Sequence, residues 1–195
     1  MSFENIAKLE SKIADFFRSE YAVATDCCTH AIELCLRYTN AKKAVSPFHT
    51  YISIPFTFEK LEIEWSFVSL KWNDYYYITD RIIDAAVYWK ENGYIKNTFM
   101  CLSFQYKKHF SLGRGGAILT DNYNDYVELK KMSYDGRIPQ IPWAEQNIKS
   151  IGYHYYMTPE TAELGLQKID DACQIPPNLW SYKDYPDLST MDVFK

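Results

Sequence analysis

The apolar positions of this chain fall into two rhythms. In ENIAKLESKIADFFR, residues 4 to 18, Ile6, Leu9, Ile13, Phe16 and Phe17 return at helical spacing, which predicts an amphipathic helix. Tyr21 to Thr25 reads as a short buried strand, and HAIELCLRY after it reads as a second helix. LEIEWSFVSL, residues 61 to 70, reads as a strand, and so does the run from Ile82 to Asp84. The runs FMCLSF and Ala117 to Thr120 predict two more strands, separated by a segment carrying Lys107, Lys108 and the turn Gly113-Arg114-Gly115-Gly116. Those glycines supply backbone conformations that other residues resist. NYNDYVELKKMS, residues 122 to 133, reads as a helix, IPQIPW as a proline-rich loop, and the stretch from Thr158 onward opens a long helix. The alternation of strand and helix predicts an α/β fold. From Cys173 the chain turns polar and proline-containing, which divides it into a domain at 1–172 and a peripheral tail at 173–195, draped over the domain or partly disordered.

Composition narrows the function classes. The 195 residues are 47% hydrophobic with a formal charge of -4, so a sizeable core is available and no basic footprint for nucleic acid shows. Apolar runs stop well short of membrane-spanning length, and the charged start MSFENIAKLESK lacks a signal-peptide core. Cysteines at 27, 28, 35, 101 and 173 have no zinc spacing, so no metal site is expected, and they read as reduced thiols of a cytoplasmic protein.

Three places carry candidate chemistry. A lysine between two buried strands has a depressed pKa if desolvated, and its neutral amine can then form an imine with a carbonyl. The alternative is a pair of solvated lysines on an exposed hairpin. Asp26-Cys27-Cys28-Thr29 joins a strand to a helix N-terminus, where free N–H groups and the helix dipole favour phosphate. There, too, a simple cap by Asp26 or Thr29 is an alternative. Asp84 ends an apolar strand, where it either caps the next helix or pairs with a cationic ligand.

Taken together, these segments resemble the DegT/DnrJ/EryC1/StrS aminotransferases, enzymes that use pyridoxal 5'-phosphate (PLP), mostly on nucleotide sugars. SFQYKKHFSLGRGGAI is similar to the family's Ser-Phe-His-x-x-Lys...Gly-Glu-Gly-Gly-Ala block, and ATDCCTHAIELCL to its Val-x-Ser-Gly-Thr-x-Ala-Leu block. Pro47 to Pro55, Asp84-Ala85-Ala86, and Gly152 to Glu160 resemble three further blocks in family order. The resemblance implies a fold-type I PLP-transferase large domain, with a mostly parallel seven-stranded sheet between helices.

It also implies roles. Lys108 takes the place of the Schiff-base lysine and proton shuttle, and Asp84 that of the carboxylate that keeps the pyridine nitrogen protonated. Ser103, Cys28 and Thr29 fall on the phosphate-binding positions, with Cys27 on the family's Ser. Tyr51 falls on the aromatic that stacks on the ring, and His154 on the Asn that reaches the phosphate of the neighbouring subunit of a homodimer. Cys28 replaces Gly, Val87 replaces Gln or His, Gln105 replaces His and Arg114 replaces Glu. The function implied is transfer of an amine from glutamate to a keto-sugar nucleotide. A sugar dehydratase is disfavoured by Lys108, since that branch usually has a histidine there. The other reading is a non-catalytic dimer of the same fold acting as a binding module.

Overall fold

The computed structural model describes residues 3–195. Helix α1 (Phe3–Phe17) leads into strand β1 (Tyr21–Thr25), helix α2 (Cys28–Tyr38), strand β2 (Lys43–Pro47), helix α3 (Ser53–Lys60) and strand β3 (Glu64–Val68). Strands β4 (Tyr76–Tyr77), β5 (Ile82–Asp84), β6 (Phe99–Ser103) and β7 (Gly116–Thr120) come next, then helices α4 (Tyr123–Ser133) and α5 (Pro159–Gln174).

The main sheet has five strands in the order β1-β7-β6-β5-β4, and β2 and β3 form a separate parallel pair. This corrects the expected seven-stranded, mostly parallel sheet. Within the five strands only β5 and β6 run parallel. The reason lies in the connections, since parallel neighbours need a long crossover. β4 and β5 are joined by residues 78–81, too few for a crossover, so β5 returns antiparallel. β6 and β7 are joined by a loop without a helix, with the same result. The backbone N–H of Val45 in β2 donates to the Ile78 carbonyl beside β4 at 3.0 Å, which ties the pair to the edge of the main sheet.

Alternation along the strands sends side chains into two cores. Ala22, Ala24, Met100, Leu102, Ala117 and Leu119 join Leu9 and Ile13 of α1 and Ile169 of α5 on one face. Val23, Phe99, Cys101 and Ile118 join Ile32, Leu36 and Phe58 of α2 and α3, with Leu129 of α4, on the other. The result is three layers, helix on sheet on helix. That is why the strands read as continuous apolar runs, being covered on both sides.

The segment after α5 is held by backbone hydrogen bonds. Asp74 N–H donates to Trp180 O at 3.1 Å, Tyr182 N–H to Trp72 O at 3.1 Å, and Leu188 N–H to Phe48 O at 2.8 Å. Leu188 is buried, and Phe194 packs its ring against Phe56, Trp65 and Phe67.

Candidate active site

The parallel strands β5 and β6 both end at one opening, bounded by the start of α2, and open α/β sheets bind ligands in such crevices. A cavity of about 800 Å³ lies there. Asp84, the last residue of β5, lines its floor, and Ser103, the last residue of β6, its wall. Lys108 enters from the β6–β7 loop, Cys28 and Thr29 from the start of α2, and Tyr51 from the mouth, where it is exposed. The structure therefore brings Lys108, Asp84, Cys28, Thr29, Tyr51 and Ser103 around one space. His154 stands apart on an exposed surface, its Nδ1 3.0 Å from Asp135.

The loop geometry derives from its glycines. Gly113 and Gly115 adopt φ of +80° and +147°, the left-handed region that favours glycine, and this turns the chain back into β7. Gly116 is needed for close approach instead. A Cβ there would lie 2.6 Å from the Cys28 nitrogen and 2.7 Å from the Cys27 carbonyl carbon, so the bare backbone lets β7 abut the start of α2.

Burial sets the charges. It pushes the Asp84 carboxyl above its ordinary value, outweighing the hydrogen bonds from Tyr76 and the Ala86 N–H and the nearby Lys108 cation. A buried carboxylate in that condition gains most from a further cationic partner. Burial also lowers the Lys108 amine, against the pull of Asp84 and Cys28, and Lys107 pushes it the same way as burial. Lys107 itself is exposed, with its Nζ over the Tyr106 ring at 5.6 Å.

The start of α2 carries the donors that an anion needs. Its first N–H groups lack helical partners, and Thr29 and Ser53 pair their hydroxyls at 2.8 Å beside it. Arg114 donates to Asp26 Oδ2 at 2.8 Å, and His30 Nδ1 lies 2.7 Å from Asp26 Oδ1. Burial opposes protonation of His30, but its hydrogen bonds to Asp26 and Cys27 prevail and raise it to about 9. Ligand-type atoms of Asp26, Cys27 and His30 lie within 4.8 Å of one another. The Arg114 guanidinium on that carboxylate makes the spot better suited to an anion than to a divalent cation. Cys28 stands in the first turn of the helix, outside the positive-φ residues, so replacing Gly costs no backbone strain there. Its thiol turns inward to the Cys101 carbonyl at 3.5 Å.

Sequence reasoning missed four residues of this site. Tyr76 donates to Asp84 from β4, His30 lies one turn into α2, and Trp180 and Tyr185 reach the cavity from the C-terminal segment. The spacing of Asp26 and His30, four residues apart at a helix start, is a usable signal. Nothing local marks the other three, because their placement depends on strand pairing and on the path of the tail.

The profile of the DegT/DnrJ/EryC1/StrS aminotransferase family matches residues 1–89 and 83–175. The chain belongs to that family. Solved structures agree at the level of fold. AtS13 from Actinomadura melliaura is 16% identical with a TM-score of 0.76, the match covering 89% of this chain and 61% of AtS13. Spr1654 of Streptococcus pneumoniae, solved in its PLP form, is 17% identical with a TM-score of 0.72, covering 88% and 60%. DesI, solved in the presence of its TDP-sugar product, is 16% identical with a TM-score of 0.69, covering 88% and 54%. The chain thus spans 54–61% of the length of these structures. No curated protein matches it.

The residues present fit PLP, the cofactor of this family of sugar aminotransferases. An amine, a buried carboxylate and the N-terminus of a helix line one cavity, and these are the groups that suit an aldehyde, a pyridine nitrogen and a phosphate.

Proposed function

We propose that this chain is a PLP-dependent aminotransferase that takes an amine from glutamate and gives it to a keto-sugar nucleotide. The observation that carries the reading is the meeting of Lys108, Asp84 and the α2 start around one cavity. When bound, the cofactor supplies the electron sink that lets a C–H bond beside the amine ionise. The chain's own residues do the rest. Thr29, Ser103 and the backbone of Cys28 bind the phosphate, with Arg114 and His30 adding positive charge nearby. Asp84 holds the ring nitrogen protonated. Tyr51 stacks on the exposed ring face and excludes water. Lys108 anchors the cofactor through its Nζ and carries the proton during transfer.

The unit we propose is a homodimer in the cytoplasm, with His154 reaching the phosphate bound by the neighbouring subunit. That role suits its position outside its own cavity and the donor character of imidazole. The competing reading, a non-catalytic dimer that serves as a binding module, draws on Val87, an apolar residue lining the cavity where relatives place Gln or His. One assay separates the two. PLP-loaded protein mixed with glutamate yields 2-oxoglutarate in an amount equal to the protein, and adding TDP-keto-sugars makes the yield catalytic. Bound cofactor with no 2-oxoglutarate supports the binding module.

A further inference from the structure

Two residues of the C-terminal segment stand against the Lys108 amine. Its Nζ donates a long hydrogen bond to Tyr185 Oη at 3.4 Å and lies 4.9 Å from the centre of the Trp180 ring. Both residues come from the C-terminal segment, and both are fixed. Trp180 accepts a backbone hydrogen bond from Asp74 at 3.1 Å. The Tyr185 carbonyl lies 3.0 Å from His49 Nδ1, and its ring packs against Trp72 at 5.6 Å and Trp180 at 6.1 Å. Trp72 is itself held by donating to the His49 carbonyl at 2.8 Å. The Tyr185 backbone and ring thus sit in a network that joins the tail to the segments before α3 and β4.

We propose that Tyr185 and Trp180 are positioning residues of the active site, Tyr185 holding the Lys108 amine by a hydrogen bond and Trp180 covering it. The C-terminal segment is then a working wall of the site. The inference rests on the reading of Lys108 as the reactive amine. The chemistry of a phenol suits the task. It accepts from an ammonium and donates to a neutral amine, so it stays bonded as Lys108 changes protonation. Burial raises the Tyr185 hydroxyl above its ordinary value, with Asp84 adding to the effect, so it keeps its proton throughout. The other groups that act on Lys108 are Asp84 from β5, Cys28 from α2 and Lys107 beside it.

The test uses the whole chain without cofactor. Lys108 is labelled with acetic anhydride across a pH series and its modification tracked by peptide mass mapping. Y185F removes an acceptor that favours the charged amine, so the labelling midpoint of Lys108 falls by roughly half to one pH unit, a roughly three- to tenfold rise in neutral amine below the midpoint. W180L uncovers the amine and raises its limiting labelling rate at high pH several-fold. The exposed tail variant D192N, with unchanged labelling, controls for general loosening of the segment. Curves for Y185F and W180L that superimpose on wild type, with circular dichroism unchanged, overturn the proposal. Failure of wild-type Lys108 to take up PLP is a separate result that bears on the function, because the labelling comparison involves no cofactor.

Discussion

Tyr76 and Asp84 face each other across the antiparallel β4–β5 pair, and the Tyr76 hydroxyl donates to Asp84 Oδ2 at 2.5 Å. Thr50 Oγ1 lies 2.5 Å from the same hydroxyl, so a chain of three buried side chains ends on the carboxylate at the cavity floor. Side chains opposite one another on a sheet interact most strongly, which explains why a two-residue strand is worth forming here. Y76F leaves Asp84 short of a donor in a buried site. It should lower stability by about 1–3 kcal/mol in urea unfolding and weaken PLP retention in equilibrium dialysis. D84N should still fold and bind PLP, yet lose transamination roughly a hundredfold or more. Near-normal turnover by D84N would remove Asp84 from its role.

Gly116 permits the contact between β7 and the start of α2. G116A pushes a methyl group to within 2.6 Å of the Cys28 nitrogen and 2.8 Å of the Leu102 carbonyl oxygen, both backbone atoms that cannot rotate away. The expected cost is about 1–3 kcal/mol, seen as a lower melting temperature, together with weaker binding of phosphate-bearing ligands. A wild-type melting curve would show that the helix start yields without loss.

His30 binds its proton more tightly in the folded chain than in the unfolded one. Its contribution to stability is complete below the ordinary value of 6.5 and is lost as pH rises through about 9. Asp26 works in the opposite sense. Burial tends to raise it, but His30 and Arg114 hold it below its ordinary 3.8, so its contribution is present above that value and lost as pH falls through the lower folded one. Urea midpoints for wild type and H30Q between pH 6.5 and 9 isolate the histidine. The wild type should lose stability relative to H30Q as pH rises, by at most about 1.4 kcal/mol per pH unit. Parallel curves would mean that His30 is neutral.

The dimer is tested by light scattering at micromolar protein. Twice the chain mass is expected, and H154A should keep the dimer while weakening PLP retention. A monomer contradicts the assembly, and unchanged retention in H154A contradicts the role given to His154.

Much of this organisation is legible in the amino-acid sequence. The helical spacing of Ile6, Leu9 and Ile13 marks the face that α1 buries, and the apolar runs of β1, β6 and β7 mark strands covered on both sides. Two sides of the cavity are legible through Asp84 and the Asp26–Thr29 turn, which are local in sequence. Helix α3 is not, because Pro55 sits in its first turn and eight residues carry little periodicity. Strand β2 escapes notice because lysines precede its few apolar residues, and β4 because two tyrosines make a strand only once Asp84 lies opposite. The mixed sheet is obscured for a similar reason: strand direction depends on connection length, and apolar runs do not record it. Trp180 and Tyr185 sit in a proline-containing stretch whose path is set by distant backbone partners at Trp72 and Asp74.

The most direct measurement is borohydride reduction of the PLP complex, then peptide mass mapping. The geometry favours Lys108, whose amine lies among Asp84, Tyr185 and Trp180, over Lys107, which is exposed. A pyridoxyl adduct on Lys108 is the expected result. An adduct on Lys107, or none anywhere, would contradict the account.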